Sequence, residues 1–133
     1  MYRDDITQRV NAALKGLKTK VLVDVPFPSE LKSCGQLAHI SFSSDNPKTM
    51  FGDCEEERVL RFQVVMIAPN TLSANALHLD IHKAFLKDPF FNNNTVFDRA
   101  DVDPDHLAER ITVLTAFYDV TIVINSLSFD LVL

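Results

Sequence analysis

The sequence predicts an α+β fold, in which a small, mainly antiparallel β-sheet carries two α-helices packed on one face. Three patterns predict it. Residues 58–68 and residues 111–124 alternate between apolar and polar side chains, as strands with one buried face do. Residues 71–87 repeat apolar side chains at helical spacing. A second helical pattern lies near the amino terminus, so the chain order is helix, strands, helix and strands.

The strand over 58–68 shows the alternation most clearly. Its even positions are all large and apolar, namely Leu60, Phe62, Val64 and Met66. Arg61 and Gln63 are polar, which is typical of a strand with one buried and one solvated face. Val65 and Ile67 are apolar as well. The end of this strand is therefore expected to be covered on both faces.

The helix over 71–87 has an apolar stripe along one side. The members of the stripe are Ala74, Leu77, Ile81, Ala84 and Phe85. Thr71 or Ser73 can cap the start of the helix. Leu72 and Leu79 fall on roughly the opposite face, at about 100° per residue. Because one sheet cannot bury both faces, we expect these two leucines to contact a partner.

Shorter elements are predicted in the first half of the chain. Residues 21–25 and 37–43 have strand patterns. The stretch 44–57 contains an Asn-Pro pair, a Gly-Asp pair and three successive glutamates. Such residues favour turns, and like charges repel each other. This stretch is therefore predicted to be a turn or mobile loop that joins two strands in a long hairpin and is poorly ordered in the free protein.

The last third of the chain is predicted to contain an acidic loop and two strands. Four aspartates lie between Asp98 and Asp105, which predicts a solvated loop. Residues 111–124 have an apolar face at their even positions, and Phe117 makes part of the second face apolar too. Residues 126–133 alternate again, which predicts a closing strand.

Length and composition are typical of one globular domain, expected to span residues 1–133. The chain is 47% hydrophobic and 23% charged. No apolar run approaches the roughly 20 residues that span a bilayer, and the amino terminus lacks the apolar core of a signal peptide. We therefore expect a cytoplasmic protein without a membrane partner. A net charge of −5, from 18 acidic and 13 basic residues, argues against nucleic-acid binding.

Metal and disulfide signals in the sequence are weak. His78 and His82 have the i,i+4 spacing of a metal-binding pair, but Leu79 stands where the zincin motif has glutamate, and no third ligand is evident. Paired surface histidines are the favoured interpretation. Cys34 and Cys54 are too few for a disulfide scaffold or a zinc ribbon and are expected to be reduced.

The aspartates near residue 100 suggest two further metal sites, and neither is favoured. Asp101, Asp103 and Asp105 match only the first positions of a calcium loop. A small metal-dependent hydrolase using the loop from Asp98 to Asp105, with Lys87 nearby, is the alternative function from another class. With three glycines and no nucleophile motif, the chain has no phosphate loop either. We predict that it is not an enzyme and uses no cofactor or metal.

The order of elements resembles that of a known family. The amino-terminal helix, the strand 64–69 entering the helix 70–85, the aspartate-rich segment 98–105 and the hydrophobic strand 118–124 carry this likeness. Together they cover nearly the whole chain. In these features the chain resembles the small tail terminator proteins of long-tailed bacteriophages, the family of the lambda-type minor tail protein that caps the tail tube.

The resemblance implies a structural protein of the virion tail, assembled in the host cytoplasm. It implies a homo-oligomeric ring of six subunits, seated on the tail tube protein, that ends polymerisation and meets the head–tail connector proteins, with DNA passing through. A tail-completion or head–tail joining protein of the same architecture is the alternative. Surplus apolar and acidic surface marks the candidate interface. Its residues are Leu72, Leu79, Glu55, Glu56, Glu57 and Phe117.

Overall fold

The computed structural model describes residues 1–26, 35–52, 54–103 and 111–132. Within these ranges three helices form: α1 (Tyr2–Leu14), α2 (Thr71–Lys87) and α3 (Pro89–Asn94). Five strands form in the same ranges: β1 (Lys20–Val23), β2 (Leu37–Phe51), β3 (Glu55–Ala68), β4 (Thr95–Asp103) and β5 (Thr112–Asn125). The strands make one sheet in the order β1-β2-β3-β5-β4.

The sheet is antiparallel except at one edge. β1 runs parallel to β2, and every other pair of neighbouring strands is antiparallel. β3 lies at the centre and pairs with β5 along its whole length, from Glu55 opposite Asn125 to Ala68 opposite Thr112. β1 and β4 are the edge strands. The predicted class, α+β with a mainly antiparallel sheet, is confirmed.

Both long helices pack on one face of the sheet. α2 buries the predicted stripe, and α1 buries a stripe of its own, made of Tyr2, Ile6, Val10 and Leu14. These residues meet the even positions of β3 and β5 in one core, where the rings of Phe62 and Tyr118 stack with centroids 5.3 Å apart. No helix of the described ranges is long and apolar enough to cross a membrane.

The opposite face of the sheet, here called the open face, has no helix packed on it within the described ranges. One end of it is apolar. Leu37, Val65, Ile67 and Val113 are buried there in a second, smaller cluster. The predicted covering of this end of β3 on both faces is therefore confirmed.

Side-chain caps set the bounds of α2 and α3. Asn70 caps α2, because its Oδ1 accepts a hydrogen bond from the Ser73 amide at 2.8 Å. The predicted caps, Thr71 and Ser73, lie inside the helix instead. Asp88 ends α2 and begins α3, where its Oδ1 accepts from the Phe91 amide at 3.3 Å. α3 thereby places the Phe91 ring in the core.

The stretch 44–57 forms part of the β2–β3 hairpin, so the predicted hairpin is confirmed. The predicted mobile loop was wrong, because most of the stretch is paired strand. Pairing continues to Phe51 opposite Glu55, with two bulges on the way. β1 accompanies β2 only as far as Ile40, so the rest of β2 has one neighbouring strand. An edge position tolerates Pro47, whose missing N–H would otherwise break a ladder.

The aspartate-rich stretch is a strand as far as the structure describes it. β4 runs to Asp103 and pairs with β5, while Asp105 lies outside the described residues. The loop prediction was wrong for this part because an edge strand leaves its acidic side chains in contact with solvent and with neighbouring arginines. Arg61 and Arg99 both form ion pairs with Asp98.

Residues 126–132 form a turn and a short extended end, so the predicted closing strand was wrong. Asn125 Oδ1 accepts hydrogen bonds from the next turn of backbone, and a single bridge joins Leu131 to β5. The Phe129 carbonyl accepts a hydrogen bond from the Tyr2 amide at 2.8 Å. The carboxyl-terminal segment therefore satisfies a donor in the first turn of α1, which has no side-chain cap.

Candidate functional site

The residues predicted to form one interface lie on three separate surfaces. They are Leu72, Leu79, Glu55, Glu56, Glu57 and Phe117. The two leucines are on the outer side of α2, the three glutamates begin β3 at the hairpin, and the phenylalanine is on the open face. Along β5, Phe117 is six residues from Val123, the register partner of Glu57. That spacing is about 20 Å in a strand. The structure does not bring the six together.

The outer side of α2 carries a row of exposed leucines. Leu72, Leu79 and Leu86 are 81%, 51% and 52% exposed. They are seven residues apart, so each is nearly two full turns from the next and all three lie on one side of the helix. We call them the leucine row. Sequence reasoning missed Leu86, which the seven-residue spacing could have found.

The inner side of β4 is also incompletely covered. Phe97 and Val102 lie opposite Tyr118 and Leu114, so they face the side of the helices. They remain 39% and 45% exposed, because α2 packs over β3 and β5 and α1 packs beside it near β1. We call Phe97 and Val102 the β4 shelf. The shelf and α2 adjoin, since Phe97 and Leu86 line the same shallow cleft.

Two histidines of α2 close around a buried hydroxyl beside the shelf. The Tyr118 hydroxyl lies 3.3 Å from His82 Nδ1 and 3.4 Å from His78 Nε2. Both imidazole rings contact Phe97, with centroids 5.4 and 5.6 Å away. Burial lowers the pKa of His78, and the charge of His82 lowers it further. Burial raises the pKa of Tyr118.

This arrangement is one of aromatic packing. Both histidine rings contact Tyr118 and Phe97. The described part of the chain holds no group of three His, Cys, Asp or Glu side chains placed to bind a metal ion.

Phe117 on the open face is enclosed by two guanidinium groups. Arg61 and Arg99 lie over its ring, with Cζ 5.6 and 4.6 Å from the centroid. Arg61 is held by Asp119 on β5 and by Asp98 on β4, and these hydrogen bonds raise its pKa. The open face therefore carries a network of ion pairs around one aromatic ring.

The three glutamates at the start of β3 differ in environment. Glu55 is exposed, Glu57 is partly exposed and Glu56 is buried. The Glu56 carboxylate lies 3.1 Å from Arg58, which also donates a hydrogen bond to Asp45 at 2.8 Å. Glu56 thus stabilises the hairpin in the folded chain, and Glu55 is the most accessible of the three to a partner.

The arrangement of elements has a counterpart among solved structures. A chain from the virion of a native gene transfer agent (GTA) particle has a similar fold. The TM-score is 0.58, with 84% of this chain and 90% of that chain covered at 16% sequence identity. At that identity the likeness concerns the fold alone. No family model matches the chain, and no curated protein matches it in sequence.

Proposed function

We propose that this chain is a structural subunit of a phage-like particle. Within the particle it forms a ring that caps the tail tube, ends its polymerisation and provides the surface joined to the head. The observation that carries the proposal is the fold shared with a chain of a gene transfer agent virion, over most of both chains. The resemblance of the sequence to tail terminators, which rests on the order of elements, favours the same kind of particle.

The surfaces of the chain favour assembly with other proteins. The leucine row, the β4 shelf and the two edges of the sheet are all accessible. A subunit that only ever worked alone would gain stability by covering them. The partners of the proposed ring are further copies of this chain, the tail tube protein and the head–tail connector proteins.

The alternatives differ in what they require. A tail-completion or head–tail joining protein would use the same fold and the same ring, at another position in the particle. A metal-dependent hydrolase would need carboxylates that converge on a metal ion. Asp98 and Asp101 are instead engaged by Arg61 and Arg99, and no observation favours this alternative.

Light scattering coupled to size-exclusion chromatography tests the proposal, with negative-stain microscopy of the same fractions. We expect rings of six subunits, either alone or when tail tube subunits are added, and tubes whose growth stops once the chain is present. A chain that stays strictly monomeric, leaves tube growth unchanged and hydrolyses a phosphoester in a metal-dependent way would contradict the proposal and support the hydrolase.

A further inference from the structure

The two edge strands of the sheet have the same side-chain alternation. On β1, Lys20 lies opposite Leu37, which belongs to the apolar cluster of the open face, so Lys20 faces that side. Val21 and Val23 face the helices and pack against the main core. On the open face β1 therefore begins with a basic residue, which apolar Leu22 follows, and its helix side is apolar.

β4 repeats this alternation with the opposite charge. Asp101 and Asp103 lie opposite Thr115 and Val113 of β5, on the open face. The β4 shelf lies on the helix side. On the open face β4 carries Val96 and Arg99 in its first part and the two aspartates in its last part, while its helix side is apolar. The last part of β4 therefore complements Lys20 and Val21 of β1 face by face.

The net charges around the two edges have opposite signs. Residues 15–24 contain three lysines and one aspartate, a net charge of +2. Lys15, Lys18 and Lys20 are exposed, and none forms an ion pair with another residue that the structure describes. Around β4 the three carboxylates Asp98, Asp101 and Asp119 exceed the two guanidinium groups Arg61 and Arg99, which leaves these described groups with a net charge of −1.

We infer that β4 of one copy pairs with β1 of the next copy, so that the sheet continues from subunit to subunit. The inference rests on the proposed function, because it names the contact that closes the ring. Pairing satisfies the outer backbone groups of both edges, which no strand of the described ranges engages. β4 and the added β1 then run antiparallel, which brings Asp101 opposite Lys20 on the open face and Ala100 opposite Val21 on the helix side. A contact between two different surfaces of one chain produces a ring when the rotation closes.

The helices also fit this contact. α1 packs near β1, while α2 leaves the β4 shelf partly uncovered. When β1 of the next copy adds to β4, its α1 arrives beside α2 and above the shelf. The layer of helices then continues across the contact together with the sheet, and Phe97 and Val102 become covered.

Charge reversal at the two edges tests this contact. The variants are Lys20→Glu and Asp101→Lys in the full chain. The matched controls are Lys83→Glu and Asp80→Lys, at exposed positions of α2 that line a cleft with α1 of the same chain and lie away from both edges. Native mass spectrometry at one protein concentration measures the oligomeric state of each variant, and circular dichroism checks its fold. We expect each edge variant alone to associate about tenfold more weakly than wild type, since every contact then places like charges together. The controls should assemble normally.

An equimolar mixture of the two edge variants gives the decisive result. In the mixture, Asp101 of the Lys20→Glu variant lies opposite Lys20 of the Asp101→Lys variant. At the next contact, the lysine introduced at position 101 lies opposite the glutamate introduced at position 20. We expect oligomers in which the two variants alternate. Variants that assemble like wild type, or a mixture that stays as weak as its components, overturn the β4–β1 contact while the ring itself stands. A wild-type chain that is monomeric at that concentration also overturns it, and the position of the chain in particles then tests the proposed function separately.

Discussion

Arg61 on β3 and Asp119 on β5 lie directly opposite each other in register and form two parallel hydrogen bonds. Nε is 2.9 Å from Oδ1, and Nη2 is 3.1 Å from Oδ2. A bidentate pair of this kind fixes the plane of the guanidinium group. It also lets Nη2 reach Asp98 on β4 at 2.7 Å. One arginine therefore joins three adjacent strands on the open face.

The fixed geometry predicts that lysine cannot replace this arginine. Lysine keeps the charge but has no planar fork that can hold two carboxylates at once. We expect Arg61→Lys to lower the Tm nearly as much as Arg61→Ala, while Arg3→Lys on exposed α1 leaves it unchanged. Thermal melts by circular dichroism measure all three. An Arg61→Lys variant that melts like wild type would show that charge alone matters here.

The hairpin depends on Arg58 in a similar way. Arg58 bonds both Asp45 and buried Glu56, and its guanidinium lies over the Tyr2 ring. Arg58→Ala removes the cation that pairs with two partly buried carboxylates, of which Asp45 keeps only the hydrogen bond from the Tyr2 hydroxyl. We therefore expect it to lower the free energy of unfolding by about 1–3 kcal/mol. Urea unfolding measures this value, with Arg3→Ala as the control.

Hydrogen exchange gives an independent reading of the same hairpin. Of the amides of Ser44 to Asn46, those that point at β3 should be protected in the free wild-type chain, because β3 is the one strand paired with this stretch in the described residues. They should exchange faster in Arg58→Ala. Fast exchange of these amides already in the wild type would contradict the strand and restore the mobile loop.

These cases show which parts of the fold the sequence could predict. The alternation of β3 and β5 and the stripe of α2 depend on which side chains face the core, so local periodicity predicted them. Pro47 and the glutamates resemble loop residues because their compatibility with strands comes from elsewhere in the chain. Pro47 fits a strand because β2 has no second neighbouring strand beyond Ile40. Glu56 fits because Arg58 pairs with it and is itself held by Asp45 of β2. Both depend on contacts between strands, which local sequence patterns do not show.

The candidate surfaces were predictable to a similar extent. Leu72 and Leu79 are exposed as expected, because their exposure follows from the phase of one helix. Grouping them with Phe117 was wrong, because Phe117 faces the opposite side of the sheet from α2 and the sequence alone does not show this. The charge contrast between β1 and β4 was not predictable at all, because it depends on which strands become edges.

His78 predicts a pH dependence of stability. Its pKa in the folded chain is below the ordinary 6.5, mainly because of burial. At acid pH the unfolded chain therefore binds more protons than the folded chain. We expect full stability above pH 6.5 and a loss as the pH falls through the lower folded pKa. Melts of wild type and His78→Gln across this range measure it. An unchanged pH profile in His78→Gln would assign the acid loss to other groups.

Leu77 and Leu79 give a matched pair on α2, one buried and one on the leucine row. Leu77→Asp places a charge in the core and forgoes about 1.5–3 kcal/mol of burial, so it should unfold the subunit. Leu79→Asp should keep the wild-type Tm and weaken assembly. Melting curves paired with sedimentation measure both effects. Equal loss of folding in the two variants would mean that α2 is buried all round.

The position of the chain in a particle tests the proposed function most directly. Phage-like particles purified from cells that encode this chain can be labelled with gold-conjugated antibodies and imaged by electron microscopy. We predict label at one site per particle, at the end of the tail tube next to the head. Label spread over the head or along the tube, or particles that lack the chain altogether, would contradict its role as a ring that caps the tube.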